Sequence, residues 1–285
     1  MRRAFLCFAF AIFAAAPAAA QTAAIAAEAP SARIAFAERR ALLAADTQCR
    51  LFTPSVRGAL DAGAWQARNA LLRAGWTSAR IAELNDAAIA AARGQACNDP
   101  RTLAAAARAR AGFEGWARMP SQTFSGGERA WLARRSPDEN GWMLRQYLGG
   151  GATFGVRRGE RAEATLTLPL RPSETAPASA ELSVRDVARS RLSLFEVPGR
   201  RASGLEAGLP SPVSARQFRA RERRIETDRR GARTLIFIFP DEALVAMTAL
   251  DPREAAVIRM ENGARVLVEI GDLGPARAFL ALGAR

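Results

Sequence analysis

The chain contains no histidine and no lysine, and these two absences remove the most common catalytic inventories. Without histidine there is no Ser-His-Asp or Cys-His pair and no imidazole general base. Without lysine there is no Schiff-base amine, no Ser-Lys dyad and no Walker P-loop. The glycines from Gly149 to Gly155 therefore do not predict a phosphate cradle, and Phe154 breaks the G-x-G-x-x-G spacing. We interpret them as a flexible turn, and we predict no catalytic set and no cofactor.

Because lysine is absent, all 41 basic residues are arginine, against 28 acidic residues, and the formal net charge is +13. The chain is also rich in alanine, a combination typical of the codon bias of a GC-rich, bacterial genome. The abundance of arginine is therefore weak grounds for a binding site. The charge itself indicates a general attraction to anions and says nothing about the fold.

Cysteine is scarce, with three residues, and the first lies in a hydrophobic N-terminal segment. Two arginines precede the twelve-residue apolar run Phe5–Ala16, and an A-x-A site ends at Ala20. This pattern predicts a secretory signal peptide over residues 1–20. An uncleaved anchor is the alternative, but the run is shorter than the roughly 20 residues that span a bilayer. No later segment is apolar enough to be a transmembrane helix, so we expect a periplasmic or secreted protein.

Export leaves Cys49 and Cys97, and an even pair in an oxidising compartment predicts a disulfide bond. Two free or metal-binding thiols are the alternative. Two cysteines without histidine cannot complete a typical structural zinc site, so we predict no metal site.

The pattern of residues 31–118 predicts a helical domain of four helices with short connections between them. The first follows an alanine-rich lead, Gln21 to Pro30, and ends near Thr47. The predicted starts combine a capping residue with a helix-compatible proline or serine, and glycines mark two ends. These signals are Ser31, Thr53-Pro54, Thr77 or Ser78, Asp99-Pro100, Gly75 and Gly94. Apolar spacing predicts the buried faces as Val56, Leu60, Ala64, Ala67 and Leu71, then Ile81, Leu84, Ala88 and Ala91, then Leu103, Ala107 and Phe113.

Residues 120–285 predict a domain of mainly antiparallel strands with two short helices, so the fold class is α+β with a disulfide-stapled helical unit first. Period-two alternation over Ala164–Leu170 predicts a strand, and 182–187 and 192–197 are shorter candidates. The run Leu235–Phe239 is apolar throughout, which predicts a central strand buried on both faces. The short helices are expected near 241–250 and 275–282.

Asn262-Gly263 is the turn pair that a type I′ hairpin requires. It predicts a hairpin between Ala256–Glu261 and Ala264–Ile270. The alternation places Ile258, Met260, Val266, Val268 and Ile270 inward, and Arg259, Glu261, Arg265 and Glu269 outward.

Arg216–Arg233 contains eight arginines against three acidic residues. We predict a strand over Ala215–Glu226 that returns through a type I turn, Asp228–Gly231, into the apolar strand. A helix is the competing interpretation. The strand places arginines on one solvent-facing side, and arginine binds phosphate and carboxylate through two parallel hydrogen bonds. The candidate anion-binding residues are Arg219, Arg221, Arg223, Arg229 and Arg230, and the alternative is a solvated edge strand whose charges prevent aggregation.

Carboxylate catalysis, as in glycoside hydrolysis, is the enzyme chemistry that this composition still permits. The candidates are Glu114, beside Trp116, and Glu128. A tryptophan beside an acid can raise its pKa and stack on a sugar ring. The alternative is that Trp116, Trp131 and Trp142 belong to the core where the helices meet the sheet.

We therefore expect an exported protein of the bacterial envelope that binds a protein or an anionic polymer such as lipopolysaccharide or peptidoglycan and is not an enzyme. A carboxylate-dependent cell-wall glycan hydrolase or lyase is the alternative. Export and the near absence of aromatic residues beside the arginines argue against nucleic acid as the partner.

Overall fold

The computed structural model describes residues 18–135, 142–158, 162–190, 192–196 and 204–282. Four N-terminal helices precede an antiparallel β region with two short helices, which confirms the predicted α+β class. The predicted signal peptide lies outside the described residues, except for Ala18–Ala20. None of the described helices is long and apolar enough to cross a membrane.

The helical region consists of α1 (Ala18–Cys49), α2 (Pro54–Arg73), α3 (Ser78–Arg93) and α4 (Pro100–Arg118). Helix α1 begins earlier than predicted, because the alanine-rich lead is itself helical and Pro30 lies inside the helix. Alanine has the highest intrinsic helix propensity, which explains why this lead extends the helix rather than preceding it.

The predicted caps start the other three helices. The side chains of Thr53, Thr77 and Asp99 accept hydrogen bonds from the backbone N–H groups three residues later, at 3.4, 3.2 and 2.8 Å. Gly75 ends α2 with φ +86°, a conformation that favours glycine. These ends were predictable because each depends on a few neighbouring residues.

Helix α2 packs against α1 and α4, and all five residues of its predicted apolar face are buried. The predicted face of α4 is wrong at two of its three positions, since Leu103 is 41% exposed and Ala107 is exposed. Phe113, the third, packs against the helical core. Thr102 and Ala106 are buried instead. The hydroxyl of Thr102 donates to Gln95 Oε1 at 2.5 Å, which turns this polar residue inward.

The predicted disulfide joins Cys49 and Cys97, with 5.4 Å between their Cα atoms. It ties the end of α1 to the connection between α3 and α4. The small helical cores contain many alanines, which bury little apolar area each. The covalent bond therefore supports a region whose packing alone contributes modestly.

Eleven strands form two antiparallel sheets within the described residues. The first has the order β1-β2-β3-β4-β5-β9-β8 and the second β11-β10-β6-β7. Their bounds are β1 Ser121–Phe124, β2 Trp131–Arg135, β3 Trp142–Gly149, β4 Ala152–Arg158, β5 Ala162–Leu170, β6 Ala180–Arg185, β7 Ala215–Arg219, β8 Glu222–Thr227, β9 Arg233–Phe239, β10 Ala255–Met260 and β11 Arg265–Glu269. Helices α5 (Asp241–Thr248) and α6 (Leu273–Ala281) and both sheets share one hydrophobic core.

The strand predictions succeed where the apolar pattern is regular. Strand β9 lies inside the larger sheet, and Phe237 on one side and Ile238 on the other are both buried. The predicted strand over 192–197 is wrong in its described part, because residues 192–196 form a turn. Leu194 lies in this turn, and its N–H points to the buried Glu254 carboxylate at 3.4 Å. The apolar residues that suggested a strand therefore belong to a turn that packs against the buried Glu254 carboxylate.

The predicted hairpin around Asn262-Gly263 forms from β10 and β11. The predicted type I′ turn is wrong, because that turn needs positive φ at both central residues and only Gly263, with φ +81°, has it. Glu269 is the exception to the hairpin's inward and outward pattern, since it is only 3% exposed. The loop between β1 and β2 covers the outer side of β11 at this position, as described below.

The helical and β regions meet where α2 packs on α6. The carboxylate of Asp272, at the start of α6, accepts hydrogen bonds from Asn69 at 3.0 Å and Arg73 at 2.8 Å. A Cβ atom on Gly274 would lie 2.3 Å from the Trp65 ring, so only glycine allows this approach. The division into domains at residues 118–120 stays a prediction, and these contacts link its two parts.

Candidate functional site

The arginine segment forms two edge strands rather than one continuous strand or a helix. Ala220 N–H donates to Ala180 O at 2.9 Å, in the smaller sheet, and Arg221 N–H donates to Ile238 O at 2.8 Å, in the larger one. The chain therefore passes from one sheet to the other between residues 220 and 221. Strands β7 and β8 lie at sheet edges, and every residue of β8 is exposed.

This change of sheet breaks the predicted arginine stripe. Directly opposed residues of an antiparallel pair lie on the same face. Arg223 is opposite the buried Phe237, so it lies on the core side of the larger sheet at its rim. Arg224 is opposite Ile236 and lies on the outer side. Arg219 belongs to the other sheet, opposite Glu181.

Several of the arginines already have partners. Arg221 pairs with Glu163 at 2.6 Å, and Arg224 pairs with Glu222. Arg223 Nε donates to Pro177 O at 2.8 Å and holds the loop between β5 and β6. Arg221 and Arg223 therefore have structural contacts that a bound anion would have to replace or share.

Arg229 and Arg230 lie in the turn between β8 and β9. The Asp228 side chain accepts from the backbone N–H groups of Arg230 and Ala232 at 2.8 and 2.9 Å, which confirms the predicted turn. A strand of six residues separates this turn from Arg221. At roughly 3.3 Å per residue, the two ends lie about 20 Å apart. The five predicted arginines thus line an extended edge and do not converge on one point.

Arg219, Arg229 and Arg230 are exposed, and among the residues that the structure describes none of their guanidinium groups forms an ion pair. Arg216 stacks on the Phe218 ring, with 4.8 Å from its central carbon to the ring centroid. The arginine edge, defined as β7, β8 and the turn 228–231, therefore presents positive charge without an ion-pair partner at both ends of β8.

The predicted carboxylates do not form a catalytic pair with the tryptophans. Glu114 and Trp116 are two positions apart on α4, and helix residues at that spacing do not face each other. Glu114 is exposed, whereas Trp116 packs edge-on against Phe124 and Phe279 at 6.4 and 5.1 Å. Glu128 Oε1 accepts from Leu205 N–H at 3.0 Å, so it anchors a loop.

The core interpretation of the tryptophans is the one that the packing supports. Trp131 is fully buried, and its indole N–H donates to Ile270 O at 2.9 Å. Trp142 packs against the same core as Trp116.

Glu269 forms an anion site within the fold that the sequence does not indicate. Its carboxylate accepts from the backbone N–H groups of Gly127, Glu128 and Arg129, the last at 2.7 Å. A Cβ atom on Gly126 would lie 2.6 Å from this carboxylate, so glycine is needed there. The protein's own side chain fills this backbone cradle, which joins the β1–β2 loop to the hairpin.

A second cluster of buried charge lies around the connection from α5 to β10. Arg185 Nε contacts both oxygens of Glu254, at 3.0 and 2.9 Å, and both side chains are nearly inaccessible. Burial raises the pKa of Glu254 despite this pairing. Burial also disfavours the charged form of Asp251, but the hydrogen bonds and charge of Arg253 outweigh it and lower the pKa of that carboxyl.

Across the described ranges, no three Cys, Asp or Glu side chains lie close enough together to hold a metal ion.

Comparisons with protein-family models, with curated proteins and with solved structures find no match in any of the three. The function is therefore argued from the chemistry of the molecule alone.

Proposed function

We propose that this protein is an exported, non-enzymatic binding protein that holds an anionic polymer of the bacterial envelope along its arginine edge. The observation that carries the proposal is the exposed, unpaired charge of Arg219, Arg229 and Arg230 at the two ends of β8. The Cys49–Cys97 disulfide is consistent with a periplasmic or extracellular location.

The spacing of these arginines favours a polymer over a compact ligand. Arg219 and the pair Arg229 and Arg230, about 20 Å apart, cannot hold one small anion between them. They can hold a chain that carries repeated phosphates or carboxylates, such as lipopolysaccharide or peptidoglycan. Arginine suits both groups because its planar fork donates two parallel hydrogen bonds.

The glycan-hydrolase alternative stays a prediction, and the contacts of its two candidate carboxylates do not favour it. Glu114 faces away from Trp116, and Glu128 holds the backbone of Leu205. A binding role needs neither residue.

The test is co-sedimentation of the purified, disulfide-bonded protein with peptidoglycan sacculi and, separately, with lipopolysaccharide across a salt series. We expect binding to at least one polymer and a steep loss of binding between low and physiological salt, because exposed charges are screened. Mass spectrometry of the supernatant should show no released glycan fragments. Released fragments, or no binding to either polymer at low salt, would contradict the proposal.

A further inference from the structure

A cleft of about 700 Å³ lies between the helical region and the helices of the β region. Helices α1, α2 and α3 form one side, and α5 with α6 forms the other. Its volume is that of a small-molecule site, and such sites favour the junctions between structural units. The cleft shares no residue with the arginine edge.

One wall of the cleft is apolar. Phe36 and Ile81 are almost fully buried at its base, and the Trp65 ring lies partly exposed along it. Val245 of α5 also lines the cleft and is 59% exposed, which is unusual for a large aliphatic side chain. These groups can cover an apolar chain or ring of a ligand.

The same cleft contains three arginines and one acidic residue. Arg40 is engaged, since it donates to Asn85 at 2.7 Å and lies 3.6 Å from Asp61. Among the described residues, the hydrogen-bond partners of Arg277 are neutral: the Thr248 hydroxyl at 2.6 Å and Leu244 O at 3.5 Å. No carboxylate of the part of the chain that the structure describes forms an ion pair with it.

Arg68 is the unusual member of the set. It is half-buried, and within the described ranges its guanidinium forms neither a hydrogen bond nor an ion pair. The nearby acids are held by other groups: Asp251 by Arg253 at 2.8 Å, and Glu196 by the Ser78 N–H at 2.7 Å. Burial lowers the pKa of Arg68 and of Arg277. Five donors in a partly desolvated cleft favour an anionic acceptor.

We propose that this cleft binds an amphiphilic oxyanion. Arg68 and Arg277 hold a carboxylate or phosphate head group, and an apolar chain or ring lies between Trp65 and Val245. A cationic or uncharged amphiphile lacks the head group that the two guanidinium groups require. A free anion lacks the chain that the apolar wall would cover. This site is independent of the polymer binding proposed above.

The test is isothermal titration calorimetry with dodecanoate and dodecyl phosphate, each kept below its micelle-forming concentration. The comparison probes are dodecyltrimethylammonium and inorganic phosphate. We expect one molecule of either anionic amphiphile per chain, and binding at least tenfold weaker for both comparison probes. No binding of either anionic amphiphile, or equal binding of the cation or of phosphate alone, would overturn the proposal.

Two variants and a matched control locate the site. Arg68→Gln removes no described contact, so it should fold normally and weaken both anionic amphiphiles at least tenfold. Ala82→Trp places a ring from an exposed position of α3 into the cleft and should also reduce binding. Arg108→Gln removes an exposed arginine of α4 outside the cleft and should leave binding unchanged. Wild-type affinity of both cleft variants for the anionic amphiphiles would overturn the proposal. Binding of the envelope polymer by Arg68→Gln should be unaffected, because that residue lies outside the arginine edge.

Discussion

Single residues were predictable from the sequence where their partners are close in the chain. Thr53, Thr77 and Asp99 cap helices through N–H groups three positions away, and Asp228 organises its own turn. Glu269 was not predictable, because the N–H groups it accepts from lie more than 100 positions earlier in the chain. The role of Arg68 was not predictable for a related reason. The residues that surround its guanidinium group in the cleft come from distant segments of the chain.

Asp251 gives a prediction about pH. Its pKa is lowered in the folded protein, because the hydrogen bonds from Arg253 outweigh the cost of burial. A carboxyl with a lowered pKa contributes stability above its ordinary pKa, which is about 4, and this contribution is lost as the pH falls through the folded value. The contribution of Asp251 to the free energy of unfolding should therefore decrease below about pH 4.

Asp251→Asn should lower the free energy of unfolding at pH 7 by about 1–3 kcal/mol. The difference from the wild-type protein should shrink as the pH is lowered toward 3, as measured by urea unfolding at several pH values. This comparison separates Asp251 from Glu254, whose pKa moves in the opposite direction. Asp86→Asn, on an exposed position of α3, is the control. A deficit for Asp251→Asn that stays constant over this range would contradict the assignment.

Whole elements were predictable in kind, but their partners were not. Capping residues and apolar spacing define α2, α3 and β5, whereas no local pattern shows that β7 and β8 join different sheets at residues 220–221. The face of α4 was also missed, because a polar residue, Thr102, is turned inward by Gln95. Pairing and orientation depend on contacts between distant segments, which a local pattern does not contain.

The disulfide gives a prediction for the helical elements. Replacing both Cys49 and Cys97 by serine should lower the free energy of unfolding, because the unfolded chain regains the freedom that a 48-residue closure removes. The chain-entropy estimate is roughly 4 kcal/mol. Urea unfolding of the double variant should match that of the reduced wild-type protein, and a reductant should not change the variant further. A loss under about 1 kcal/mol would show that the helical packing does not need the bond.

At the scale of the whole molecule, the order of helices, strands and hairpin was predictable, and the way they assemble was not. The junction of α2 with α6 depends on Gly274 fitting against Trp65 and on Asp272 meeting Asn69. The cleft lies between the helices that this junction brings together, α1 to α3 on one side and α5 and α6 on the other. The arginine edge was predicted as a stripe on one strand, and the structure distributes it along two sheets and a turn.

The central claim is that the arginine edge, rather than the overall positive charge, binds an envelope polymer. Two triple variants with equal net charge separate these effects. The edge variant replaces Arg219, Arg229 and Arg230 by glutamine. The control variant replaces Arg108, Arg134 and Arg259 by glutamine, and these three are exposed outside the arginine edge.

The decisive measurement is the affinity of both triple variants for the polymer that the wild-type protein binds, by co-sedimentation at one low salt concentration. The edge variant should bind about tenfold more weakly, since three exposed contacts of about 0.2–1 kcal/mol each sum to a range that includes the roughly 1.4 kcal/mol of a tenfold change. The control variant should remain within about twofold of the wild-type protein. Equal weakening of both variants would show that only the overall charge matters and would contradict the account.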